Sequence, residues 1–384
     1  MKLVFHHRIA TRHGQAVHMD ELIAALEGLG HEVIVVGPPR AQAAEFGGGG
    51  GAVRRMKERL PRAVYEIAEI GYSVPAAVRL WRAVRRHRPD AVYERYAIYL
   101  LAGAWVRQLT KVPLLLEVNS PMFEERRDFG GGIALERLAA WAQRSVWRRA
   151  DVALPVTEVL AGRLRDAGVR PERITVVHNG IDPARFPVLD GGPVRERLGL
   201  DGKVVLGFTG FVREWHGVDR VVALLPRLTE RADVHLLVVG DGPARRELEQ
   251  QARRLGVSDR LTVTGVVGRD DVAAHVAAFD VALQIGVTAY ASPLKLFEYM
   301  AMGRAVVAPA TPNIEEVVRD GRDALLFTPD DDESLAAVIE RASGDAALRA
   351  RLGSAAQQTI VEQGYTWTAN AQRVADLVAG VRLT

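Results

Sequence analysis

Cysteine is absent from the sequence, and its absence removes several classes of chemistry. A chain without thiols has no disulfide framework, no thiolate zinc site and no cysteine nucleophile. Long apolar runs are missing as well, since no window approaches the roughly 20 apolar residues of a membrane-spanning helix. The first apolar run is broken at once by His6, His7 and Arg8, so it is too short for a secretory signal. We therefore expect a cytoplasmic protein.

Several catalytic and metal-binding signatures are also missing. The sequence has no GxSxG motif of a Ser–His–Asp hydrolase and no Walker lysine motif. His6 and His7 lie on a predicted strand and must point to opposite faces. No carboxylate cluster accompanies His13, His18 or His178. We expect no bound metal, no cofactor and no nucleic-acid partner.

The chain has 384 residues, which favours two or three domains rather than one core. Its charge is uneven: residues 1–185 carry 28 Lys and Arg against 20 Asp and Glu, and the remainder carries 22 against 27. Much of the excess lies in residues 54–88, with ten basic and three acidic residues. This region is either a solvated helix face or a peripheral contact with the inner, anionic face of a membrane.

Apolar, strand-like runs alternate with helical patterns along most of the chain, which predicts parallel sheets covered by helices. A stretch rich in Pro and Gly at residues 182–202 separates two such series. We predict two doubly wound α/β domains, 1–185 and 186–365, that face each other across a ligand-binding cleft. The end of the chain is predicted to be helical, and Trp367 and Leu377 could anchor it against a domain. The glycine run at 47–51 predicts a mobile loop.

The stretch ASPLKLFEYMAMG carries the richest chemistry. Ser292 is a good N-cap and Pro293 a good first helical residue, so a helix is predicted to begin here and continue through Leu294. Its free amides would bind an anion. Lys295 and Glu298 share one helix face, where a lysine would neutralise a diphosphate and a glutamate would accept bonds from ribose hydroxyls. The alternative is an ordinary capped helix with an exposed ion pair.

A second stretch, GFTGFVREWHGVD, predicts a strand that ends at Gly210 and a helix that opens near Gly217. The loop between them contains Arg213 and His216, which favours a phosphate cradle with added cations. It would otherwise be a loop with exposed basic residues. The GDGP sequence ends the next strand and could be only a short turn.

The first half of the chain offers candidates for contacts with an acceptor. Gly14 would let the backbone approach a ligand where the first strand turns into the first helix. Glu117 and Asn119 end another predicted strand, and with His18 they are candidate acceptor contacts. These polar groups could equally cap the next loop.

Five segments together resemble family 4 of the retaining glycosyltransferases, which have the GT-B fold of two Rossmann-like domains. They are RHGQAVHMDELIAALEGLGHEV, VVHNGID, TGFVREWHGVD, LLVVGDGP and SPLKLFEYMAMGRAVVAPATPNIEEVV, within residues 1–330. The resemblance implies a C-terminal domain that binds a UDP- or GDP-sugar and an N-terminal domain that binds the acceptor. It also implies that Glu298 holds the ribose, that Gly14 lies beside the donor, and that anomeric configuration is retained without a metal. A last helix within 366–384 would, by the same resemblance, pack back on the first domain.

The sequence departs from the family pattern at three positions. Ala291 stands where many members have a second glutamate, and Phe211 and His216 replace residues of the basic loop. Diphosphate neutralisation is therefore predicted to fall to Arg213 and Lys295, as the catalytic cations. The acceptor stays open among a lipid-linked sugar, a polysaccharide and a small metabolite. Alternative functions are a sugar-nucleotide epimerase of similar fold and a non-catalytic sugar-nucleotide-binding subunit.

Overall fold

The computed structural model describes residues 1–9, 15–38, 60–128, 131–229 and 232–382. Gly14, the glycine run at 47–51 and the first residues of the basic region lie outside the described residues, so the predictions made for them stay predictions. Contacts divide the chain into two compact units. Unit 1 comprises residues 1–178 with the C-terminal helix from Trp367, and unit 2 comprises Asn179–Thr366.

Unit 1 is built on a five-stranded parallel sheet with the order β2-β1-β3-β4-β5. Its strands are β1 Lys2–His6, β2 Glu32–Val36, β3 Ala91–Arg95, β4 Leu114–Val118 and β5 Val152–Pro155. The strands β3, β4 and β5 are buried along their whole length, as expected for strands covered on both faces. The chain reverses its lateral direction between β1 and β3, the place where doubly wound sheets usually bind ligands.

The helices of unit 1 connect these strands and cover the sheet. They are α1 Gln15–Gly28, α2 Arg62–Gly71, α3 Ser73–His87, α4 Ala102–Thr110, α5 Met122–Asp128, α6 Glu136–Arg149, α7 Glu158–Asp166 and the C-terminal α16 Trp367–Arg382. Helix α16 packs against α1 within this unit. Strand register pairs His6 with Glu94 and Arg95 with Glu117, so charged side chains gather at the carboxyl ends of the strands.

Unit 2 contains a six-stranded parallel sheet with the order β11-β10-β9-β6-β7-β8. Its strands are β6 Val204–Thr209, β7 Val234–Val239, β8 Leu261–Val263, β9 Val281–Leu283, β10 Ala305–Pro309 and β11 Leu325–Phe327. This is the strand order of dinucleotide-binding α/β folds, and its lateral direction reverses between β6 and β9. Contacts assign Asn179 and the residues after it to this unit, and the Asn179 side chain and amide bind Ser292 of the same unit.

The helices of unit 2 pack on both faces of this sheet, where they form two apolar clusters. They are α8 Gly192–Leu198, α9 Val218–Thr229, α10 Arg245–Arg254, α11 Val272–Ala277, α12 Leu294–Ala301, α13 Pro312–Glu315, α14 Asp332–Gly344 and α15 Ala346–Gln363. The Tyr299 hydroxyl on α12 lies 2.9 Å from the Thr209 amide, which ties α12 to the carboxyl end of β6. The point where the strand order reverses therefore holds the candidate site.

Candidate active site

Glycines allow two neighbouring strand ends of unit 2 to pack backbone against backbone. Gly210 follows β6 and Gly240 follows β7, with φ angles of 123° and 142° that side chains rarely permit. A Cβ at Gly240 would lie 2.1 Å from the Gly210 carbonyl oxygen, and one at Gly242 would lie 2.2 Å from the Val212 carbonyl oxygen. The backbone of the GDGP turn therefore packs directly against the backbone of the loop that follows β6.

The Lys295 ammonium lies at this strand end without a partner. Its Nζ is 3.8 Å from the centroid of the Phe208 ring, and a Cβ at Gly210 would lie 3.4 Å from it. The atom is closed to solvent and has no hydrogen-bond partner in the described part of the chain. Burial lowers the pKa of Lys295 to about 7, although Glu298 acts to raise it. A buried, unpaired ammonium is costly, and a bound anion would relieve that cost.

Helix α12 begins one residue later than predicted, and Ser292 is not its N-cap. The N-cap is Pro293, which offers no side-chain hydrogen bond. The Ser292 hydroxyl instead accepts a bond from the Asn179 amide at 3.1 Å, while Asn179 Nδ2 donates to the Ser292 carbonyl at 2.6 Å. The N-cap prediction was wrong because the Ser292 hydroxyl accepts a hydrogen bond from Asn179, a residue 113 positions away, and not from an amide of the helix. The first amides of α12, from Leu294, consequently have no side-chain cap.

A second asparagine, missed from the sequence, fixes the loop that precedes α12. Asn313 is fully buried, and its Nδ2 donates to the carbonyl oxygens of Thr288 and Ala291 at 3.1 and 2.7 Å. Its Oδ1 has no partner among the residues that are described. Both asparagines lie in segments that carry the family resemblance, VVHNGID and TPNIEEVV, which was the available signal. The two asparagines fix the loop that contains Ala291, the residue that stands where many family members have a second glutamate.

Glu298 lies one turn after Lys295 and is half-buried. Burial raises the pKa of this carboxyl to about 7, although Lys295 and Arg269 act to lower it. Arg269, also missed from the sequence, is thus a further cation close to this helix face. The predicted pairing of Lys295 and Glu298 on one face therefore places a cation and a hydrogen-bond acceptor beside each other at the strand ends.

His216 is a neutral hydrogen-bonding group rather than a cation. Burial lowers its pKa to about 3, and the charges of Lys295 and Arg213 act in the same direction. Its Nδ1 accepts a bond from the Arg213 amide at 3.1 Å, so the proton of the neutral ring is assigned to Nε2. Arg213 is exposed, and its guanidinium lies 5.1 Å from the Phe211 ring centroid. The structure thus brings Lys295, His216 and Arg213 together. Lys295 and Arg213 supply positive charge, and His216 is a neutral hydrogen-bond donor.

The three predicted acceptor contacts, His18, Glu117 and Asn119, also come together in unit 1. Glu117 is buried, and it accepts bonds from the Tyr93 hydroxyl at 2.7 Å, from Arg95 Nη1 at 2.6 Å and from the Asn119 amide. Although burial alone would raise it, His18 and Arg95 hold the pKa of Glu117 below its ordinary value. The adjacent cavity is about 10 Å³, room for about one water. Acceptor binding by these residues stays a prediction.

Two features are absent from the described residues, a cluster of metal ligands and a membrane-spanning helix. No group of three or more His, Asp or Glu side chains within residues 1–9, 15–38, 60–128, 131–229 and 232–382 is placed to hold a metal ion. No helix in these ranges is long and apolar enough to cross a membrane. Independence from metals stays a prediction.

Comparison with known proteins places both units in one functional class. A family model described as Glycosyltransferase Family 4 matches residues 12–185, and one described as Glycosyl transferases group 1 matches residues 203–345. The lipopolysaccharide core biosynthesis glycosyltransferase LpsE of Rhizobium meliloti is 29% identical over 335 residues, which cover 83% of this chain and 93% of LpsE. The α-D-kanosaminyltransferase of Streptomyces kanamyceticus is 25% identical over 256 residues, which cover 63% of this chain and 64% of that relative.

A solved structure supports the fold over the whole chain. The structure of Anabaena Alr3699/HepE in complex with UDP superposes with a TM-score of 0.77 and covers 99% of this chain and 100% of that one. The two sequences are 20% identical. The likeness therefore concerns the fold alone.

Proposed function

The chain belongs to family 4 of the glycosyltransferases and has the GT-B fold, and from this premise we propose that it uses a UDP-sugar as donor. In this proposal the sugar passes to an acceptor hydroxyl with retention of anomeric configuration and without a metal ion. The observation that carries the proposal is the buried, unpaired Lys295 ammonium beside the open first turn of α12. An anion is the kind of ligand that this arrangement would bind.

The diphosphate of the donor would lie against the first turn of α12. Lys295 would neutralise one phosphate, and the first amides of the helix would donate to its oxygens. The neutral His216 would donate one further bond from Nε2, and the exposed Arg213 would supply the second charge. These groups are held in place before the ligand arrives, so they would stabilise the charge that the leaving group gains.

The nucleoside would be held by Glu298. A carboxylate accepts two bonds from vicinal hydroxyls, and such charged bonds contribute about 1.5–3 kcal/mol each. The raised pKa of Glu298 is close to neutrality, so ribose binding would favour its ionised form. Because residue 291 is alanine where many family members have glutamate, the part of the site that would face the sugar has one carboxylate fewer than in those members.

The proposed chemistry is one substitution at the anomeric carbon. The bond from this carbon to the diphosphate oxygen breaks, and its electron pair leaves with UDP. The acceptor oxygen forms the new bond on the same face, through a transition state with oxocarbenium character. The acceptor proton passes to the oxygen of the departing phosphate, so no side chain is assigned as the base. The protein would position both substrates and stabilise the leaving charge.

Two observations support UDP over GDP and transfer over other chemistry. Anabaena HepE is described in complex with UDP and with UDP-glucose. The relatives LpsE and the kanosaminyltransferase are both named as transferases, and no observation favours an epimerase.

The proposal is tested by binding and product analysis. Calorimetry with UDP, GDP and UDP-glucose should show binding of the uridine nucleotides, and Glu298→Gln should weaken it about tenfold or more. Incubation of UDP-sugars with lipid-linked, polysaccharide and small acceptors in EDTA should release UDP, and NMR should show the anomeric configuration of the donor in the product. An inverted product would refute the retaining mechanism, and activity that requires added magnesium would refute metal independence.

We also propose that α3 docks the enzyme peripherally on an anionic membrane. Val74, Val78 and Trp81 are exposed and follow one another at helical spacing of four and three residues. The helix contains no acidic residue and four arginines, Arg79, Arg82, Arg85 and Arg86. Arginines beside an exposed apolar stripe are typical of interfacial helices, and each basic residue near an anionic leaflet contributes about 1 kcal/mol. The LpsE relative, named for lipopolysaccharide core biosynthesis, supports a lipid-linked acceptor.

Vesicle co-sedimentation tests this docking. The parent should bind vesicles rich in anionic lipid at low salt and dissociate at high salt, and it should not bind neutral vesicles. Trp81→Ala and Arg82→Glu/Arg86→Glu should weaken binding, whereas the exposed Trp141→Ala and the exposed pair Arg246→Glu/Arg253→Glu should not. Equal binding to both kinds of vesicle, or equal effects of the two sets of variants, would refute docking by α3.

A further inference from the structure

Trp215 lies exposed next to the groups that the proposed function assigns to the diphosphate. It belongs to a short 3₁₀ turn, Glu214–His216, in the loop after β6. Solvent reaches 55% of the residue, so its indole has surface available to a ligand. A single exposed apolar side chain is common on protein surfaces, but this one is held rigidly at the strand ends of the candidate active site.

Glycine contacts lock the backbone that carries Trp215. A Cβ at Gly286, in the loop after β9, would lie 2.1 Å from the Trp215 carbonyl oxygen, and the Gly286 amide donates to the His216 carbonyl at 2.9 Å. Gly217 ends the turn with a φ angle of 69°, which side chains rarely permit. The buried Gln284 donates from Nε2 to the Gly286 carbonyl at 2.8 Å. The turn is therefore positioned before a ligand binds.

A row of three aromatic rings connects Trp215 to the buried cation. The centroids of the Trp215 and His216 rings are 3.9 Å apart, and those of the His216 and Phe208 rings are 5.3 Å apart. At the far end of the row, the Lys295 Nζ lies 3.8 Å from the Phe208 centroid. The indole thus touches the imidazole that is assigned a hydrogen bond to the diphosphate. A group attached to that diphosphate comes next to the indole.

The order of the strands places Trp215 at the sugar end of the donor. Glu298, assigned to the ribose, has Arg269 as a neighbouring charge, and Arg269 follows β8. Strand β8 lies on one side of β6, whereas β9, whose loop supports Trp215, lies on the other side. A UDP-sugar with its ribose at Glu298 and its diphosphate at Lys295 therefore directs its sugar toward Trp215. Ala291 lies in the same connection, between β9 and α12.

We propose, on the basis of the UDP-sugar donor proposed above, that Trp215 is a specificity-determining residue on which the donor sugar stacks. An indole offers a flat apolar surface, and the C–H groups on one face of a pyranose ring are the apolar part of the sugar. Stacking depends less on individual hydroxyls than hydrogen bonds to a carboxylate do. With Ala291 in place of a glutamate, the site therefore discriminates weakly between neutral hexopyranoses that differ at one hydroxyl.

Calorimetry separates stacking on the sugar from binding of the nucleotide. The ligands are UDP, UDP-glucose, UDP-galactose and UDP-N-acetylglucosamine. For the UDP-sugar that the parent binds most tightly, Trp215→Ala should weaken binding about three- to tenfold and leave the affinity for UDP and the melting temperature unchanged. Trp215→Phe keeps an aromatic ring and should restore most of the loss. Trp141→Ala removes an exposed tryptophan of unit 1 and, as the matched control, should change neither affinity.

Proton NMR gives an independent measurement of the same contact. The protein contains six tryptophans, and Trp215→Phe assigns the Trp215 indole signals by their loss. Nuclear Overhauser effects should join these signals to C–H protons of the bound sugar, and their absence with all three UDP-sugars would overturn the inference.

The calorimetric results distinguish this inference from the proposed function. Equal losses of UDP and UDP-sugar affinity in Trp215→Ala would overturn the inference, because the indole would then act on the nucleotide. Unchanged affinity of this variant for all three UDP-sugars would overturn it as well. Both results would leave the proposed nucleotide standing, whereas a parent protein that binds no UDP would refute the proposed function and the stacking together.

Discussion

Replacing Lys295 by methionine should separate two effects of this lysine. One is the destabilisation that its buried charge causes in the free protein, and the other is its contribution to UDP binding. Burial lowers the pKa of Lys295 from 10.5 to about 7. Each pKa unit corresponds to about 1.4 kcal/mol, so roughly 4–5 kcal/mol is an upper bound on the cost of the charged form. The partial exposure of the residue and the attraction of Glu298 reduce this cost. Because methionine keeps the packing against Phe208 without the charge, we expect the free energy of unfolding to rise by about 1–3 kcal/mol at pH 7.

The increase in the free energy of unfolding that Lys295→Met produces should depend on pH in a defined direction. The folded pKa lies below the unfolded value, so the unfolded chain binds the proton more tightly between pH 7 and pH 10.5. The destabilisation of the parent is therefore full at pH 7 and below, and it disappears as the pH rises through 10.5. The difference between Lys295→Met and the parent should shrink over this interval. Loss of the lysine also raises the pKa of Glu298 further, which reduces the gain above pH 7.

The same variant should lose its affinity for UDP. A charged hydrogen bond to a phosphate contributes about 1.5–3 kcal/mol, so affinity should fall about 10- to 100-fold. Urea denaturation from pH 6 to pH 10 and calorimetry with UDP measure the two effects, and Lys203→Met is the matched control in the same unit. A variant that is less stable than the parent at pH 7 and binds UDP equally well would refute the reasoning.

Three further predictions concern the fold and the reaction. Gly240→Ala should destabilise unit 2 by about 3 kcal/mol in urea denaturation, because its Cβ would meet the Gly210 carbonyl at 2.1 Å, whereas Gly256→Ala, with open space around it, should cost about 1 kcal/mol. Burial lowers the pKa of His235 to about 4, so between pH 6.5 and pH 4 this residue should remove about 1.4 kcal/mol of stability per pH unit, and His235→Gln should flatten that slope. A parallel slope in the variant would contradict this assignment. Glu298→Gln should reduce UDP affinity but should not lower the melting temperature of the free protein at pH 7, because burial raises the pKa of Glu298 to about 7 and so disfavours its charge. An equal loss of affinity for free phosphate would show that Glu298 does not contact the ribose.

Local patterns were sufficient for the fold and for part of the candidate site. Alternating apolar runs and helical periods predicted two parallel sheets, because burial on both faces requires continuous apolar strands between amphipathic helices. The spacing of Lys295 and Glu298 placed them on one helix face, since side chains three residues apart in a helix are neighbours. These relations concern residues close together in the sequence, where backbone geometry fixes which side chains meet.

Partners distant in the sequence were decided only by the tertiary structure. Ser292 has the local features of an N-cap, yet Asn179 takes its hydroxyl because the fold brings the two together. The position of Glu117 near the end of a strand made it a candidate contact for the acceptor substrate. In the structure, however, Tyr93 and Arg95 of the neighbouring strand already donate hydrogen bonds to it. The burial that lowers the pKa of Lys295 likewise arises from the packing of several elements. Sequence periodicity encodes which face of an element is apolar, whereas the partner of each buried polar group depends on which elements that face meets.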